Sequence, residues 1–195
     1  MQSGQLTSAG QASRRRLLDA ATAEFAAFGI AGARVDRICA VAQVNKAQLY
    51  AYFGNKDQLF DAVLLEHTRM IVDTVPLDGE DLPGYAVGLY DSYLHHPQLV
   101  RLATWARLER TPAGPLFDME SGPDADKKAT IRAAQQAGHL IDTMDAAEIL
   151  SLVTAMSMTW SPASAMIAAT LKDPQADHDR RREALRASVA RAFTP

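Results

Sequence analysis

The sequence predicts an all-α protein, with a small N-terminal helical domain followed by a larger helical body. Three observations support this. Apolar residues recur at three- and four-residue steps through most of the 195 residues. No segment sustains the strict alternation of a half-buried strand. Proline, glycine and N-capping residues separate the periodic segments. A mixed fold with a small sheet is the alternative.

The first helix is predicted to begin at Ser13, a residue type that caps helices, and to end at Gly29. Its apolar stripe includes Leu18 and Phe25. Residues 1–12 are small and polar, and we expect them to form a flexible arm.

Three more helices follow closely. Val35 and Ala42 bound the apolar positions of a second, short helix, and Asn45 is a good N-cap for a third that runs to Phe53. Gly54 interrupts the pattern, and Asn55 is predicted to cap a fourth helix.

The remainder is predicted to be helical between prolines. Asp145 is followed three residues later by Glu148, which is the spacing of a capping box. The predicted segments are 84–96, 97–111, 125–139, 145–160 and 175–193.

The charge is distributed unevenly between the two parts. The whole chain has a net charge of −3, which taken alone disfavours nucleic acid as a partner. Residues 1–60 carry seven basic and four acidic residues, a net +3, and residues 61–195 carry −6. Such asymmetry is typical of a binding domain attached to a body with another task.

Several classes of protein are disfavoured. The single cysteine cannot form an internal disulfide, and no apolar run of 18 residues could span a membrane. The N-terminus lacks the layout of a secretion signal, so we expect a cytoplasmic protein. The chain has no phosphate-binding glycine loop, no nucleophile elbow and no recognisable metal-binding set of histidines. We therefore expect no enzymatic activity, no cofactor and no metal.

The second and third helices have the arrangement of a helix-turn-helix. In this motif one helix braces the other, which lies in the DNA major groove. Ala42 and Val44 are the small and apolar residues that a close contact between the helices requires. Polar and aromatic side chains follow at Lys46, Gln48 and Tyr50.

The segment from Arg15 to Val63 resembles the TetR family of bacterial transcriptional regulators. The resemblance rests on Ala21 with Phe25, on Gly29 followed by Ile30, and on the block L-Y-A-Y-F-G-N-K that ends at Lys56. It implies an N-terminal helix-turn-helix domain, 13–58, and a C-terminal helical domain, 59–195, that binds a ligand and dimerises.

The chain departs from the family pattern at several positions. Gln43 replaces the usual turn glycine, so a left-handed backbone there would be strained. Asn45 replaces a serine and can still cap, and Ala47 replaces a glycine where the helix meets DNA. Arg34 replaces the Ser or Thr that usually caps the second helix; arginine has no acceptor for that role but can reach a phosphate.

The candidate DNA contacts combine base readout with phosphate binding. Gln48 could contact adenine in two places, and Lys46 and Lys56 are candidate phosphate anchors. A solvated polar face is the alternative for Gln48, and either tyrosine could belong partly to the core. The set is Arg34, Lys46, Ala47, Gln48, Tyr50, Tyr52 and Lys56.

The C-terminal domain offers candidates for two further roles. For the dimer face the helical spacing suggests Leu152, Leu185, Val189 and Phe193, together with Met156. For an apolar ligand pocket the candidates are Tyr90, Tyr93, Trp105, Phe117, Met119, Met156 and Trp160. Ordinary intramolecular core is the alternative for both sets.

The sequence therefore predicts a homodimeric DNA-binding regulator, with a double-stranded DNA operator, a small-molecule inducer and a second copy of itself as partners. A repressor released from a palindromic operator is the favoured mode, although the sequence does not distinguish it from an activator. The main alternative is a helical ligand-binding protein that has lost sequence-specific DNA binding.

Overall fold

In the computed structural model, residues 7–114, 116 and 123–195 are described. Their regular secondary structure is entirely α-helical, which confirms the predicted fold class. The helices are α1 (Ser8–Gly32), α2 (Val35–Ala42), α3 (Lys46–Phe53), α4 (Lys56–Thr74), α5 (Leu82–His95), α6 (Pro97–Glu109), α7 (Pro123–Gln136), α8 (Ala146–Ser157) and α9 (Gln175–Phe193). Among these residues no helix is both long and apolar enough to cross a membrane.

Helix α1 starts five residues before the predicted position. Its N-cap is Thr7, whose hydroxyl accepts a hydrogen bond from the Gly10 N–H at 3.2 Å. Ser13 lies inside the helix and donates to the Ala9 carbonyl. The described part of the predicted flexible arm, residues 7–12, is therefore a capped helical extension, while residues 1–6 lie outside the described residues.

The helical backbone of α1 is interrupted at Gly29, as predicted. This residue has φ 73° and ψ −176°, a conformation that strains residues with a Cβ. A Cβ added at Gly29 would also approach the Glu109 Oε1 to 2.5 Å. Glycine is thus required both by the backbone angle and by the close approach of α6.

The chain divides into two compact units. The first, here called the head, comprises the chain up to Thr68 together with Arg101–Gly114. The second, here called the body, comprises Arg69–Val100 and Pro115–Pro195. The division differs from the expected boundary after residue 58, because the buried face of α4 packs into the head core and the second half of α6 is held against α1.

The core of the head is formed by α1 to α4. Phe25 of α1 and Phe60 of α4 are fully buried and meet edge to face, with ring centroids 5.2 Å apart. Ile38 of α2 and Leu49 of α3 are buried in the same unit. The apolar stripes predicted from the sequence thus pack both helices of the helix-turn-helix against the same hydrophobic core.

The body is built around α5, α8 and α9. The predicted capping box at the start of α8 is present, because Asp145 accepts from the first turn and Glu148 accepts from the Asp145 N–H. Val153 and Val189 are fully buried between these helices.

Candidate nucleic-acid interface

Helix α3 presents the exposed face predicted to contact DNA. The Asn45 carboxamide accepts from the Gln48 N–H at 2.9 Å, which satisfies one donor of the first turn. Leu49 and Phe53 point into the core, as expected from their apolar character. Exposed on the helix are Lys46, Ala47, Gln48 and Tyr50, while Tyr52 is half-buried with its ring against Phe53.

The turn between α2 and α3 is made by a left-handed glutamine. Gln43 has φ 54° and ψ 46°, and its N–H points to the carbonyls of Ala40 and Cys39 at the end of α2. A non-glycine residue in this region costs about 1–2 kcal/mol relative to the right-handed conformation. The tight turn is therefore formed despite the missing glycine, at the expense of local stability.

A buried glutamate holds the start of α2, although it does not replace the missing side-chain cap. Arg34 makes no side-chain cap, but its N–H donates to the Glu24 Oε1 of α1 at 2.8 Å. The same oxygen accepts from the Arg37 Nε at 2.8 Å and Nη2 at 2.6 Å. Glu24 is only 8% exposed, so this cluster links α1 to the start of α2 from inside the head. The guanidinium of Arg34 is left exposed on the surface.

Two polar contacts that the sequence alone did not indicate hold α2 in place. One joins α2 to α3 and the other joins α2 to α1. The Lys46 ammonium lies 2.6 Å from the Asp36 carboxylate, which raises the pKa of Lys46 through the hydrogen bond and the opposite charge. The Arg16 Nε donates to the Ala42 carbonyl at the end of α2, at 3.0 Å. Lys46 is exposed, so a phosphate can compete with Asp36 for its ammonium.

Lys56 has a different environment from the one expected. Its ammonium lies 3.4 Å from the carbonyl of Ala31, in the last turn of α1, and 3.3 Å from the carbonyl of Ala33, which follows the helix. A cation beside carbonyls at the end of a helix stabilises that end. Lys56 therefore has a positioning contact within the head and its phosphate contact stays a prediction, while Lys46 is the more exposed of the two lysines.

The second half of α6 is anchored to α1 by three side chains. Arg101 donates to the Ala26 carbonyl at 2.7 Å, and Glu109 accepts from the Ala31 N–H at 2.7 Å. The Trp105 indole N–H also points to the Ala26 carbonyl, at 3.4 Å. Trp105 therefore packs within the head, whereas the candidates Tyr90, Tyr93, Met156 and Trp160 lie in the body.

Comparison with known proteins identifies the family to which this helix-turn-helix and its C-terminal domain belong. The family model described as bacterial regulatory proteins, tetR family, matches residues 17–63, and the model described as tetracyclin repressor-like, C-terminal domain, matches residues 81–191. The chain belongs to the TetR family. It is a DNA-binding transcriptional regulator.

The relatives cover both parts of this TetR-family chain. The HTH-type transcriptional repressor SCO4008 of Streptomyces coelicolor is 40% identical over 148 residues, which are 75% of this chain and 77% of the relative. The repressor NicS of Pseudomonas putida is 32% identical over 112 residues, 52% of each chain. A crystal structure of SCO4942 from Streptomyces coelicolor, described as a transcriptional regulator, has a TM-score of 0.77 and 38% identity, covering 93% of this chain and 98% of that one.

The described candidate ligand residues of the body are buried or half-buried. Tyr90 is buried, its hydroxyl lies 2.6 Å from the His178 Nδ1, and its ring meets the Trp160 ring edge to face at 5.9 Å. Tyr93 is buried too, which raises its pKa to about 12, and Met156 is half-buried. The remaining candidates, Phe117 and Met119, lie outside the described residues.

The candidate dimer residues separate into two groups. Leu185, Val189 and Phe193 are buried within the chain itself, at 4%, 0% and 1% exposure, because α9 packs this face onto α5 and α8. They have no surface left for a partner and belong to the intramolecular core, the alternative reading of their spacing. Leu152 of α8 is 43% exposed and remains available to a second copy.

Proposed function

We propose that this TetR-family regulator is a homodimeric repressor that leaves a palindromic operator when a small molecule binds its body. The observation that carries the proposal is the exposed face of α3 on a capped and internally braced helix-turn-helix. The names of SCO4008 and NicS, both repressors, support this mode of action. Activation of transcription is the alternative within the same class.

At the operator, α3 of each protomer would enter the major groove. Gln48 would read a base edge, and Tyr50 would contact a phosphate or a thymine methyl. Lys46 would exchange Asp36 for a phosphate, and Arg34 would reach the backbone beside the start of α2. Two heads in successive major grooves require centres about 34 Å apart, which only a dimer of set geometry provides.

Fluorescence anisotropy with a duplex from the region upstream of the gene tests the proposal. Gln48→Ala should reduce discrimination at one or two operator positions by about 1–3 kcal/mol. Lys46→Ala should weaken binding to all sequences and lower the salt slope by about one. Equal loss of selectivity in both variants would contradict this division of roles.

Dimerisation is proposed to use the exposed side of α8 and the segment that follows it. Leu152 on α8 and the side chains of Met166, Ile167 and Leu171 after it are exposed, with Met166 at 90%. Clusters of exposed apolar side chains of this kind are typical of protein interfaces. Sedimentation velocity should show a dimer for the native chain and a shift towards monomer for Leu152→Glu, with Leu108→Glu, an exposed leucine of the head, as the matched control.

The inducer would act by favouring one of two dimer conformations. A ligand can shift this equilibrium only by the difference in its affinity for the two states. Couplings of about 1–3 kcal/mol change operator affinity roughly 5- to 150-fold. We further propose that the protein acts in the cytoplasm, without enzymatic activity and without a cofactor.

A ligand-binding protein that has lost specific DNA binding is the second candidate, because Gln43, Ala47 and Arg34 depart from the family pattern. The two candidates differ in their salt dependence. A specific repressor should bind its operator tightly with a steep salt slope. Weak binding to every duplex, independent of salt, would favour the second candidate.

A further inference from the structure

A cavity of about 590 Å³ lies within the body along one side of α5. Its wall is completed by the α4–α5 connection and by Arg186 of α9. The Asp81 N-cap of α5 faces it with Asp91 and Ser92 of the helix, and Asp78 contributes from the connection. Among the described residues, none of those predicted for ligand binding lines this cavity, whose wall combines these polar side chains with an apolar part from Val75, Pro76 and Tyr85.

The cavity wall carries more negative than positive charge. Its three carboxylates, Asp78, Asp81 and Asp91, face one guanidinium, that of Arg186, and the imidazoles of His95 and His96 complete its titratable groups. Arg186 lies 3.2 Å from the Asp81 Oδ1, and Arg182, from outside the wall, binds the Oδ1 of Asp91 as well as the Oδ1 of Asp179. Within the described part of the chain, Asp78 pairs with no cation, and its Oδ1 accepts only the Glu80 N–H at 2.9 Å.

Ser92 supplies a second and independent observation. It is 7% exposed, and its buried hydroxyl has no hydrogen-bond partner among the protein atoms described. Serines elsewhere in the body, such as Ser151 and Ser157, donate to the carbonyl four residues earlier at 2.7 Å. A buried hydroxyl without a partner destabilises the folded state, so its presence in a cavity wall points to a bound molecule that satisfies it.

The arrangement of the acceptors restricts the ligand class. Within the described residues, no group of three or more His, Cys, Asp or Glu side chains is placed to hold a metal ion. The acceptors extend instead along α5 from Asp81 to Ser92, a span of about 16 Å at 1.5 Å per residue. An elongated molecule with several N–H donors fits such a row, whereas an anion would face the excess of carboxylates.

We propose that this cavity binds an aliphatic di- or polyamine. One ammonium group binds Asp78 beside Asp81, and a second donor reaches the free oxygen of Asp91 and the Ser92 hydroxyl. Charge-assisted hydrogen bonds of this kind are stronger than neutral ones. The site itself does not depend on DNA binding; that the amine acts as the inducer rests on the function proposed above.

Isothermal titration calorimetry of the full-length protein with spermidine, in the absence of DNA, tests the site. We expect saturable binding that Asp78→Asn weakens by roughly tenfold or more, since a hydrogen bond to a charged group is lost. The asparagine can still accept the Glu80 N–H, so the connection should keep its shape. Glu80→Gln removes the same charge two residues away, outside the cavity wall, and should leave the affinity unchanged.

Ser92→Ala provides a readout that a purely structural role would not show. It should weaken spermidine binding by roughly two- to tenfold while leaving the thermal midpoint of the free protein unchanged or raised, because an unpartnered hydroxyl is removed. No saturable binding, or equal weakening by Asp78→Asn and Glu80→Gln, would overturn the proposal, as would a lowered midpoint with unchanged affinity in Ser92→Ala.

Fluorescence anisotropy with operator DNA distinguishes a failure of the proposed amine site from a failure of the proposed repressor function. If spermidine is the inducer, it should release the native protein from the operator more readily than it releases Asp78→Asn under the same conditions, which corrects for binding of the amine to DNA. Tight operator binding without any amine site would overturn this inference and leave the proposed repressor intact. Amine binding without operator binding would overturn the repressor and leave the site intact.

Discussion

Removing the Glu24 carboxylate should destabilise the head far more than removing a carboxylate from the surface of the same helix. In Glu24→Ala, the Arg34 N–H loses its acceptor and Arg37 loses two charge-assisted bonds to the Glu24 Oε1. An unsatisfied backbone donor costs about 1–3 kcal/mol, and hydrogen bonds to charged groups contribute about 1.5–3 kcal/mol.

The contribution of the Arg37 hydrogen bonds must be reduced, because the Arg37 side chain is 42% exposed and regains water when its partner is removed. It also keeps its position over the Phe28 ring, 4.3 Å from the ring centroid. The expected loss in the free energy of unfolding is therefore about 3 kcal/mol. Glu24→Gln retains one acceptor oxygen but loses the charge, so its free energy of unfolding should lie between those of the native chain and the alanine variant.

Urea unfolding followed by circular dichroism at fixed protein concentration measures this loss. The matched control is Asp19→Ala, which removes an exposed ion pair with Arg15 on α1 and should cost no more than about 0.5 kcal/mol. Amide exchange at Arg34 should accelerate in Glu24→Ala only. A loss below about 1 kcal/mol, equal to that of the control, would refute the assignment of Glu24 as the acceptor that holds the start of α2.

Three further results are expected. Gln43→Gly should raise the free energy of unfolding by about 1 kcal/mol, because it removes the left-handed strain, and a destabilised variant in the same urea assay would contradict this. Gly29→Ala should lower it by more than about 1 kcal/mol, since the residue has φ 73° and a Cβ would also displace the Glu109 carboxylate; an unchanged unfolding midpoint would contradict the strain assigned to this residue. Burial raises the pKa of Tyr93 to about 12, so its contribution to stability is complete below about pH 10 and is lost as the pH rises towards 12. Tyr93→Phe should therefore lose less stability over this range, and identical alkaline profiles would argue against the shift.

Local signals accounted for much of the head. Asn45 and Asn55 cap their helices as predicted, each accepting the N–H three residues later, and Gly54 interrupts the chain between them with φ 77°. These signals act over one turn of backbone, so neighbouring residues in the sequence are sufficient to reveal them. The start of α1 was placed at Ser13 because a serine before an apolar stripe resembles a cap, whereas the cap is Thr7.

Contacts between distant parts of the chain were not predictable in the same way. The partnership of Glu24 with Arg34 joins residues of two different helices, and nothing in the local pattern distinguishes Glu24 from a solvated glutamate. Lys56 is a second example, because the fold brings its ammonium to two carbonyls at the end of α1, a contact that its place in the motif does not indicate. Such assignments require the orientation of one helix against another.

The sequence by itself determined the helical class, the helix-turn-helix and the residues exposed on α3, because periodicity and capping are local properties of the chain. Tertiary structure decided which side chains are core and which are free for partners. Leu152 and Leu185 both lie at apolar positions of a helical pattern, yet Leu152 is 43% exposed and Leu185 is 4% exposed. The difference arises because α9 packs its apolar face onto α5 and α8. The cavity beside α5 likewise exists only because the α4–α5 connection and α9 meet that helix along the same side.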